Sequence, residues 1–283
     1  MPNRSAMQDR ITRSLAWSVA VFLMGMFLWI LGDIAIHGVS SLSWEFLTTS
    51  PKNAGREGGI ASILVSTMLI LGVCMAVALP IGLGAAILLS ECTHDHELAG
   101  TLVRRSLDVL AGIPSIVFGL FGNAFFCVTL GLGFSIVSGG LTLACMVLPI
   151  LIRSTEEGFR ALPPEYRLSA AALGLSQTAT LGKLLIPAAM PTLLVGFILG
   201  LGRAIAETAA LIFTSGYVDR MPESLWDSGR ALSIHIYDLS MNVPGGDANA
   251  YASALVLIVL LLAINASAMG IGRRWASTRT RAT

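Results

Sequence analysis

The segment GRAIAETAALIFTSG (202–216) places an arginine and a glutamate four residues apart in an otherwise apolar stretch. Residues at positions i and i+4 are neighbours on a helix, so Arg203 and Glu207 can form an ion pair. A guanidinium can instead bind an oxyanion through two parallel hydrogen bonds. If the stretch crosses a membrane, each charge at its centre costs about 2.5–3.5 kcal/mol, so the charged face must meet protein or water rather than lipid.

Small and polar residues follow one face of this stretch. If it is a continuous helix, spacings of three and four residues align Gly196, Gly200, Arg203, Glu207, Ala210 and Thr214. Close helix packing of the GxxxG kind, or an ion pair that serves only stability, would explain this stripe without a function. The alternative is a substrate pathway, whose candidate residues are Arg203, Glu207, Thr208 and Thr214.

The composition favours a membrane protein. Hydrophobic residues make up 54% of the 283 residues and charged residues 12%, against about a quarter in soluble domains. The net charge of +1 gives no reason to expect nucleic-acid binding. The four cysteines are scattered, which argues against a disulfide framework. Cys92, His94 and His96 could bind a metal, but no second ligand cluster occurs, so we expect neither a metal site nor a cofactor.

Apolar runs long enough to cross a hydrocarbon core, which takes about 20 helical residues, occur six times. They predict an all-α, polytopic membrane protein with six transmembrane helices. Pro80 should mark a tilt or break in the second span, and Pro114 should bend the third. The predicted spans are Leu15–Ile36, Ile60–Leu89, Leu110–Gly131, Phe134–Ile152, Ala188–Thr214 and Tyr251–Ile271.

Basic residues lie mainly on one side of these spans. Thirteen of the 18 lysines and arginines fall at the two ends of the chain and in the second and fourth loops, against four in the other loops. The positive-inside rule then places both termini in the cytoplasm. We expect a multi-pass protein of the cell (inner) membrane. The outward loops 37–59 and 215–250 are either plain connectors or surfaces that dock an external protein.

The fourth loop is patterned more strongly than a connector. Pro163–Pro164 suits the first turn of a helix, Glu165 suits its positive end, and Gly174 suits a left-handed cap at its other end. Ser176 can cap a second short helix that runs towards Pro187. The small residues between them form a surface that a partner protein can approach closely, although a helix lying on lipid headgroups would have a similar composition.

The stretch YRLSAAALGLSQTATLGKLLIPAAMP (166–191) resembles the EAA loop of ABC-importer permeases. Alignment on Gly174 places Leu168, Ser169 and Ala170 at the EAA triplet, so the glutamate is missing while alanine, glycine and the closing proline are kept. The resemblance implies that this loop docks in a cleft of a cytoplasmic ATPase subunit. The residues that it implies for this coupling are Glu165, Tyr166, Arg167, Ala170, Ala171, Gly174 and Pro187.

Three further motifs, in the family's order, look like those of phosphate-specific importer permeases of the PstA type. They are ALPIGLGAAILLSE (78–91), GIPSIVFGLFG (112–122) and RAIAETAALIFTSG (203–216). The resemblance implies a type I importer transmembrane domain at 58–268, with its coupling loop at 161–187. This domain follows an N-terminal segment with the first span (1–57) and precedes a basic cytoplasmic tail (269–283).

The same resemblance implies a mechanism and a set of partners. The chain would form part of a translocation pathway by alternating access, beside a homologous second permease, two ATPase subunits and an external phosphate-binding protein. Arg203 would then touch the passing anion. Glu207 would either hold Arg203 in place or accept a hydrogen bond from protonated phosphate.

No motif points to an enzyme. The phosphate-binding loop GxxxxGK[ST] is absent from the sequence, so ATP hydrolysis would fall to a partner subunit, and neither HExxH nor GxSxG occurs. Two other functions stay open at this point. One is a permease of the same architecture for another oxyanion or small solute, and the other is an ATP-independent channel or carrier.

Overall fold

The computed structural model describes the backbone of residues 4–93 and 98–280, and most of these residues are helical. Within these residues, three π-helical turns continue neighbouring helices. The first (Leu88–Cys92) follows Ile87, the second (Asn123–Thr129) follows Gly122, and the third (Leu181–Leu185) joins Thr180 to Ile186. A hairpin of β1 (Pro51–Lys52) and β2 (Glu57–Gly58) encloses a 3₁₀ turn. The helices are α1 (Arg4–Ser41), α2 (Trp44–Thr48), α3 (Ala61–Ile87), α4 (Leu98–Ala111), α5 (Ser115–Gly122), α6 (Ile136–Arg160), α7 (Glu165–Ala172), α8 (Gln177–Thr180), α9 (Ile186–Ile205), α10 (Ala209–Ile212), α11 (Leu232–Met241) and α12 (Asp247–Thr280).

The described residues contain five helical stretches that are long and apolar enough to cross a membrane by themselves. A further crossing is available if α4 and the stretch Ser115–Thr129, which meet at 101°, count as one bent span. The predicted all-α fold is confirmed, and the predicted number of six apolar spans is reached when the bent pair is counted as one span. The five single stretches are Asp9–Ser41, Ala61–Cys92, Ile136–Arg160, Gln177–Ile205 and Asp247–Gly270.

Two of the predicted spans differ from the structure in detail. The third is bent at Pro114, as predicted: the helix breaks at residues 112–114 and restarts at Ser115. Counted as one bent span, it begins at Leu98 rather than at Leu110. The second does not break at Pro80, which lies inside the continuous helix α3. A proline removes one backbone hydrogen bond, and here the packing of α3 against α6 maintains the helix, since Gly82 lies against Leu151.

Three spans, α3, α6 and α9, form the core through close contacts at glycines. A Cβ atom added to Gly140 of α6 would lie 2.6 Å from the Cβ of Val73 on α3. One added to Gly200 of α9 would lie 2.7 Å from the Cγ1 of Val147 on α6. Helix association in lipid depends on such close packing, because lipid tails are as apolar as the helices. The glycines therefore fix how near these three spans approach.

The fourth loop folds largely as predicted. The helix α7 follows Pro163–Pro164 and starts at Glu165, and Gly174 adopts a left-handed φ of 67° just beyond its end. The hydroxyl of Ser176 accepts a hydrogen bond from the backbone N–H of Ala179 and caps α8. The second helix does not stop near Pro187, however. It continues through a π-helical turn into α9, so α8 is part of the same helical stretch as the fifth span.

Candidate functional site

The fifth span is broken beside the charged residues. The helix α9 ends at Ile205, residues 206–208 are not helical, and α10 begins at Ala209. The prediction of one continuous helix from Ala188 to Thr214 is therefore wrong. The physical reason is that Glu207 makes hydrogen bonds that a helix cannot offer it.

Two hydrogen bonds hold Glu207 at this break. Its carboxylate Oε1 accepts the backbone N–H of Ala210 at 3.3 Å, which satisfies one of the free donors at the start of α10. Its backbone carbonyl accepts the hydroxyl of Ser233 at 2.6 Å, across 26 residues of sequence. The side chain is buried, with 7% of the residue exposed. Glu207 is thus a buried acid whose contacts stabilise the break.

Arg203 lies in the last turn of α9 and is exposed on the surface of this chain. Because the helix ends two residues later, Arg203 and Glu207 are not neighbours on one helical face. Within residues 9–93 and 98–270, whose side chains the structure describes, no ion pair joins Arg203 to Glu207 or to another carboxylate. The self-contained ion pair that the sequence allowed does not form in this structure.

An exposed guanidinium in this position needs compensation from outside the chain. The helical stretch Gln177–Ile205, whose last turn carries Arg203, contains an 18-residue window with a mean hydropathy of 2.2 and is apolar enough to cross a membrane. Charged residues in such spans generally face a bundle interior or a water-filled cavity. Water, an anion or a neighbouring subunit can supply the hydrogen-bond acceptors for the guanidinium of Arg203.

The two threonines predicted for the pathway differ in their surroundings. Thr208 is half-buried in the break, and its backbone carbonyl accepts the N–H of Ile212. Thr214 is fully buried, and its hydroxyl donates to the carbonyl of Ala210 at 2.8 Å. Thr208 therefore lies in the break together with Glu207, its neighbour in the sequence. Thr214 lies apart from them with its hydroxyl bonded to Ala210, and its pathway role stays a prediction.

The residues predicted for ATPase coupling lie in and around α7, and part of them forms its exposed side. Glu165, Tyr166, Ala171 and Gly174 are exposed, whereas Ala170 is buried at 1% exposure. Pro187 lies apart from them, half-buried in the first turn of α9.

Two leucines join this exposed side, although the sequence patterns did not select them. Leu168 is 68% exposed and Leu173 is 77% exposed. The signal that would have identified these leucines is a large apolar side chain among polar and small residues in a short helix that lies outside the spans. We call Glu165, Tyr166, Leu168, Ala171 and Leu173 the α7 surface.

Arg167 points away from the α7 surface. Its guanidinium pairs with Glu91, just past the end of the second predicted span, through both carboxylate oxygens. The carboxylate raises the pKa of Arg167 above its ordinary value. Sequence reasoning selected Arg167 but missed Glu91, because 76 residues separate the two.

The described residues contain no group of three or more His, Cys, Asp and Glu side chains that could hold a metal ion. Cys92 of the CTHDH stretch is an exposed free thiol. His94 and His96 lie outside the described residues.

Comparison with known proteins gives one family and several relatives. Residues 78–278 match the family described as binding-protein-dependent transport system inner membrane component. The probable ABC transporter permease protein YqgI of Bacillus subtilis is 31% identical over 90% of this chain and 90% of its own length. The phosphate transport system permease protein PstA 2 of Mycobacterium bovis is 32% identical over 98% of this chain and 93% of its own.

Solved structures share the fold at low sequence identity. A bacterial alginate ABC transporter, in complex with an alginate pentasaccharide-bound periplasmic protein, matches with a TM-score of 0.70 at 12% identity, over 96% of both chains. The MetNI methionine ABC transporter, in inward-facing conformations, matches with a TM-score of 0.58 at 17% identity, over 77% of this chain and 94% of that one. At these identities the likeness concerns the fold alone.

Proposed function

Because the chain belongs to the family of binding-protein-dependent transport system inner membrane components, and is thus the permease subunit of an ABC importer, we propose that its substrate is phosphate. The observation that carries this proposal is the exposed guanidinium of Arg203 in the last turn of α9, directly before the break. A guanidinium is the side chain best suited to a tetrahedral oxyanion, because its N–H groups match two oxygens at once.

The break itself suits a transport pathway. Transporters commonly place their substrate sites at interrupted membrane helices, where backbone polar groups leave the helical ladder and face the substrate. Residues 206–208 supply such a segment, beside Arg203. We assign Arg203 to direct contact with the anion, and Thr208 to the same stretch of pathway. Glu207 does not contact the anion; it stabilises the break through its hydrogen bonds with Ala210 and Ser233.

The phosphate assignment is also supported by the relatives. PstA 2 of Mycobacterium bovis, described as a phosphate transport system permease protein, aligns with nearly the whole chain. YqgI is described only as a probable ABC transporter permease, and so it leaves the solute open. A permease for another oxyanion or small solute is therefore the second candidate function.

The proposed assembly follows the arrangement of ABC importers. The chain works beside a homologous second permease, two ATPase subunits bind at the cytoplasmic face, and an external phosphate-binding protein delivers the anion. The α7 surface is the docking site for one ATPase subunit. Both termini face the cytoplasm from the cell inner membrane, and the transmembrane domain occupies 58–268, between the N-terminal segment and the basic tail.

Competition for uptake tests the substrate. Proteoliposomes containing the purified importer, with its binding protein outside and ATP inside, are given radiolabelled phosphate. We expect ATP-dependent uptake of the label. A large excess of unlabelled phosphate should abolish it, and sulfate or methionine at the same excess should leave it unchanged. Uptake that another solute abolishes instead would favour the second candidate, and uptake without ATP would favour a channel or carrier.

A further inference from the structure

The guanidinium of Arg167 forms a two-point contact with Glu91. Its Nη2 lies 2.5 Å from Oε1 and its Nε lies 2.9 Å from Oε2, which is the fork geometry of a bidentate ion pair. The Glu91 side chain is 13% exposed and that of Arg167 34%. The pair is therefore only partly screened by water, and it is stronger than an ion pair on an open surface.

Arg167 also contacts the end of α6. Its Nη2 donates to the carbonyl of Phe159 at 3.0 Å, and its Nη1 donates to the carbonyl of Leu162 at 3.5 Å. Glu91 belongs to the π-helical turn that continues α3. One side chain therefore joins α7 to the cytoplasmic ends of two core spans.

The rest of α7 is attached less closely. This helix has eight residues, and Ala170 is the one buried among them. A cavity of about 290 Å³ lies between the loop and the end of α3, and its lining includes Glu91, Cys92, Arg167 and Ala171. A helix of this length is marginal by itself, so its position depends on its attachments to the bundle.

We propose that the Arg167–Glu91 pair is the positioning link through which a displacement of α7 reaches α3 and α6. This rests on the proposed function, in which α7 docks on an ATPase subunit. Arg167 and Glu91 touch neither substrate nor nucleotide. They act by holding α7 at a fixed distance and angle to the two spans, so that the spans move when α7 moves.

The test compares substitutions by glutamine that remove one charge each. Glu91→Gln and Arg167→Gln break the pair, and Glu157→Gln makes the same change at an exposed carboxylate of α6 that lies outside the ion pairs of the described residues. In the reconstituted importer we expect each pair variant to retain its ATPase subunits and to hydrolyse ATP. Phosphate uptake per ATP should fall about tenfold, the size of a typical coupling effect.

The double variant sharpens this test. Because Arg167→Gln removes the ion pair together with the contacts to α6, Glu91→Gln with Arg167→Gln should fall no further than Arg167→Gln alone. Unchanged uptake per ATP in both single variants would overturn the proposal. Loss of the ATPase subunits from Arg167→Gln alone would also overturn it, because Arg167 would then belong to the docking surface.

A second measurement does not depend on the substrate. Cys92 is an exposed thiol that lines the same cavity as Arg167, so its rate of labelling by a maleimide reports how closely α7 lies against α3. We expect faster labelling in both pair variants than in the parent and in Glu157→Gln. An unchanged rate would overturn the link, whereas faster labelling in an importer that takes up no phosphate would refute the substrate alone.

Discussion

The hydroxyl of Ser233, on α11, donates a 2.6 Å hydrogen bond to the backbone carbonyl of Glu207 and so ties α11 to the break in the fifth span. Both residues are buried. The structure of the break therefore depends on a segment that lies outside the membrane spans. Changes in α11 should reach Arg203 through Glu207.

Ser233→Ala tests this dependence. The change removes the only donor that the described residues provide to the Glu207 carbonyl, and a buried polar group left without a partner costs about 1–3 kcal/mol. We expect a lower Tm of the purified complex and weaker phosphate uptake. Ser240→Ala is the matched control, since the Ser240 hydroxyl is exposed and bonds only within α11. Equal effects of the two changes would contradict the dependence.

Gly140→Ala tests the close approach of α3 and α6. The added Cβ would meet Val73 at 2.6 Å and the carbonyl of Ile70 at 3.0 Å, so the two helices must move apart. Overpacking of this kind costs about 1–3 kcal/mol, and thermal unfolding in detergent should show it. Gly72→Ala on α3 has no heavy atom within 4 Å of the added Cβ. It should leave Tm unchanged or raise it slightly, because alanine favours helix.

Leu168→Ser and Leu173→Ser test the α7 surface. Burying one leucine at an interface contributes about 1.5–3 kcal/mol, so each change should weaken retention of the ATPase subunit by at least about tenfold. Leu98→Ser is the control, because Leu98 is a leucine on α4 with 82% exposure. Co-purification with the tagged ATPase measures the effect. Full retention in both variants would remove these leucines from the docking site.

His235 gives the protein a pH dependence. Burial, then the charge of Arg230, lowers the pKa of this histidine from 6.5 to about 4. The unfolded chain therefore binds a proton between pH 6.5 and 4 that the folded chain does not, and the free energy of unfolding falls as the pH drops through that window. The loss is on the order of 3 kcal/mol at pH 4.

A variant separates His235 from the other acid-sensitive groups. His235→Gln cannot titrate, so its Tm should fall less steeply between pH 6.5 and 4 than that of the parent, whatever its Tm at pH 7. Differential scanning fluorimetry over this range measures both slopes. Parallel slopes would show that His235 is not responsible.

Local patterns predicted the parts of the molecule that depend on local rules. Gly174 and Ser176 are cap positions whose roles follow from residues within one turn, and both adopt the predicted geometry. The number of apolar spans followed equally from run length. The break after Ile205 could not be predicted in this way, because it depends on Ser233, which lies far along the chain.

Local sequence patterns also could not predict which charged side chains contact each other. Arg203 and Glu207 have the spacing of a helical ion pair, but that inference assumed a continuous helix. The partner of Arg167, Glu91, belongs to a different span. Sequence reasoning therefore named three of these four charged residues, but it could not assign their contacts.

The most direct test of the central claim is phosphate uptake by Arg203→Gln. Losing hydrogen bonds from a charged group costs about 1.5–3 kcal/mol, so uptake should fall about 10- to 100-fold while the subunits stay assembled. Arg203→Lys, which keeps the charge without the fork, should fall less. Arg105→Gln, at an exposed arginine of α4, should transport like the parent. Parental uptake by an assembled Arg203→Gln importer would contradict the claim that Arg203 contacts the anion.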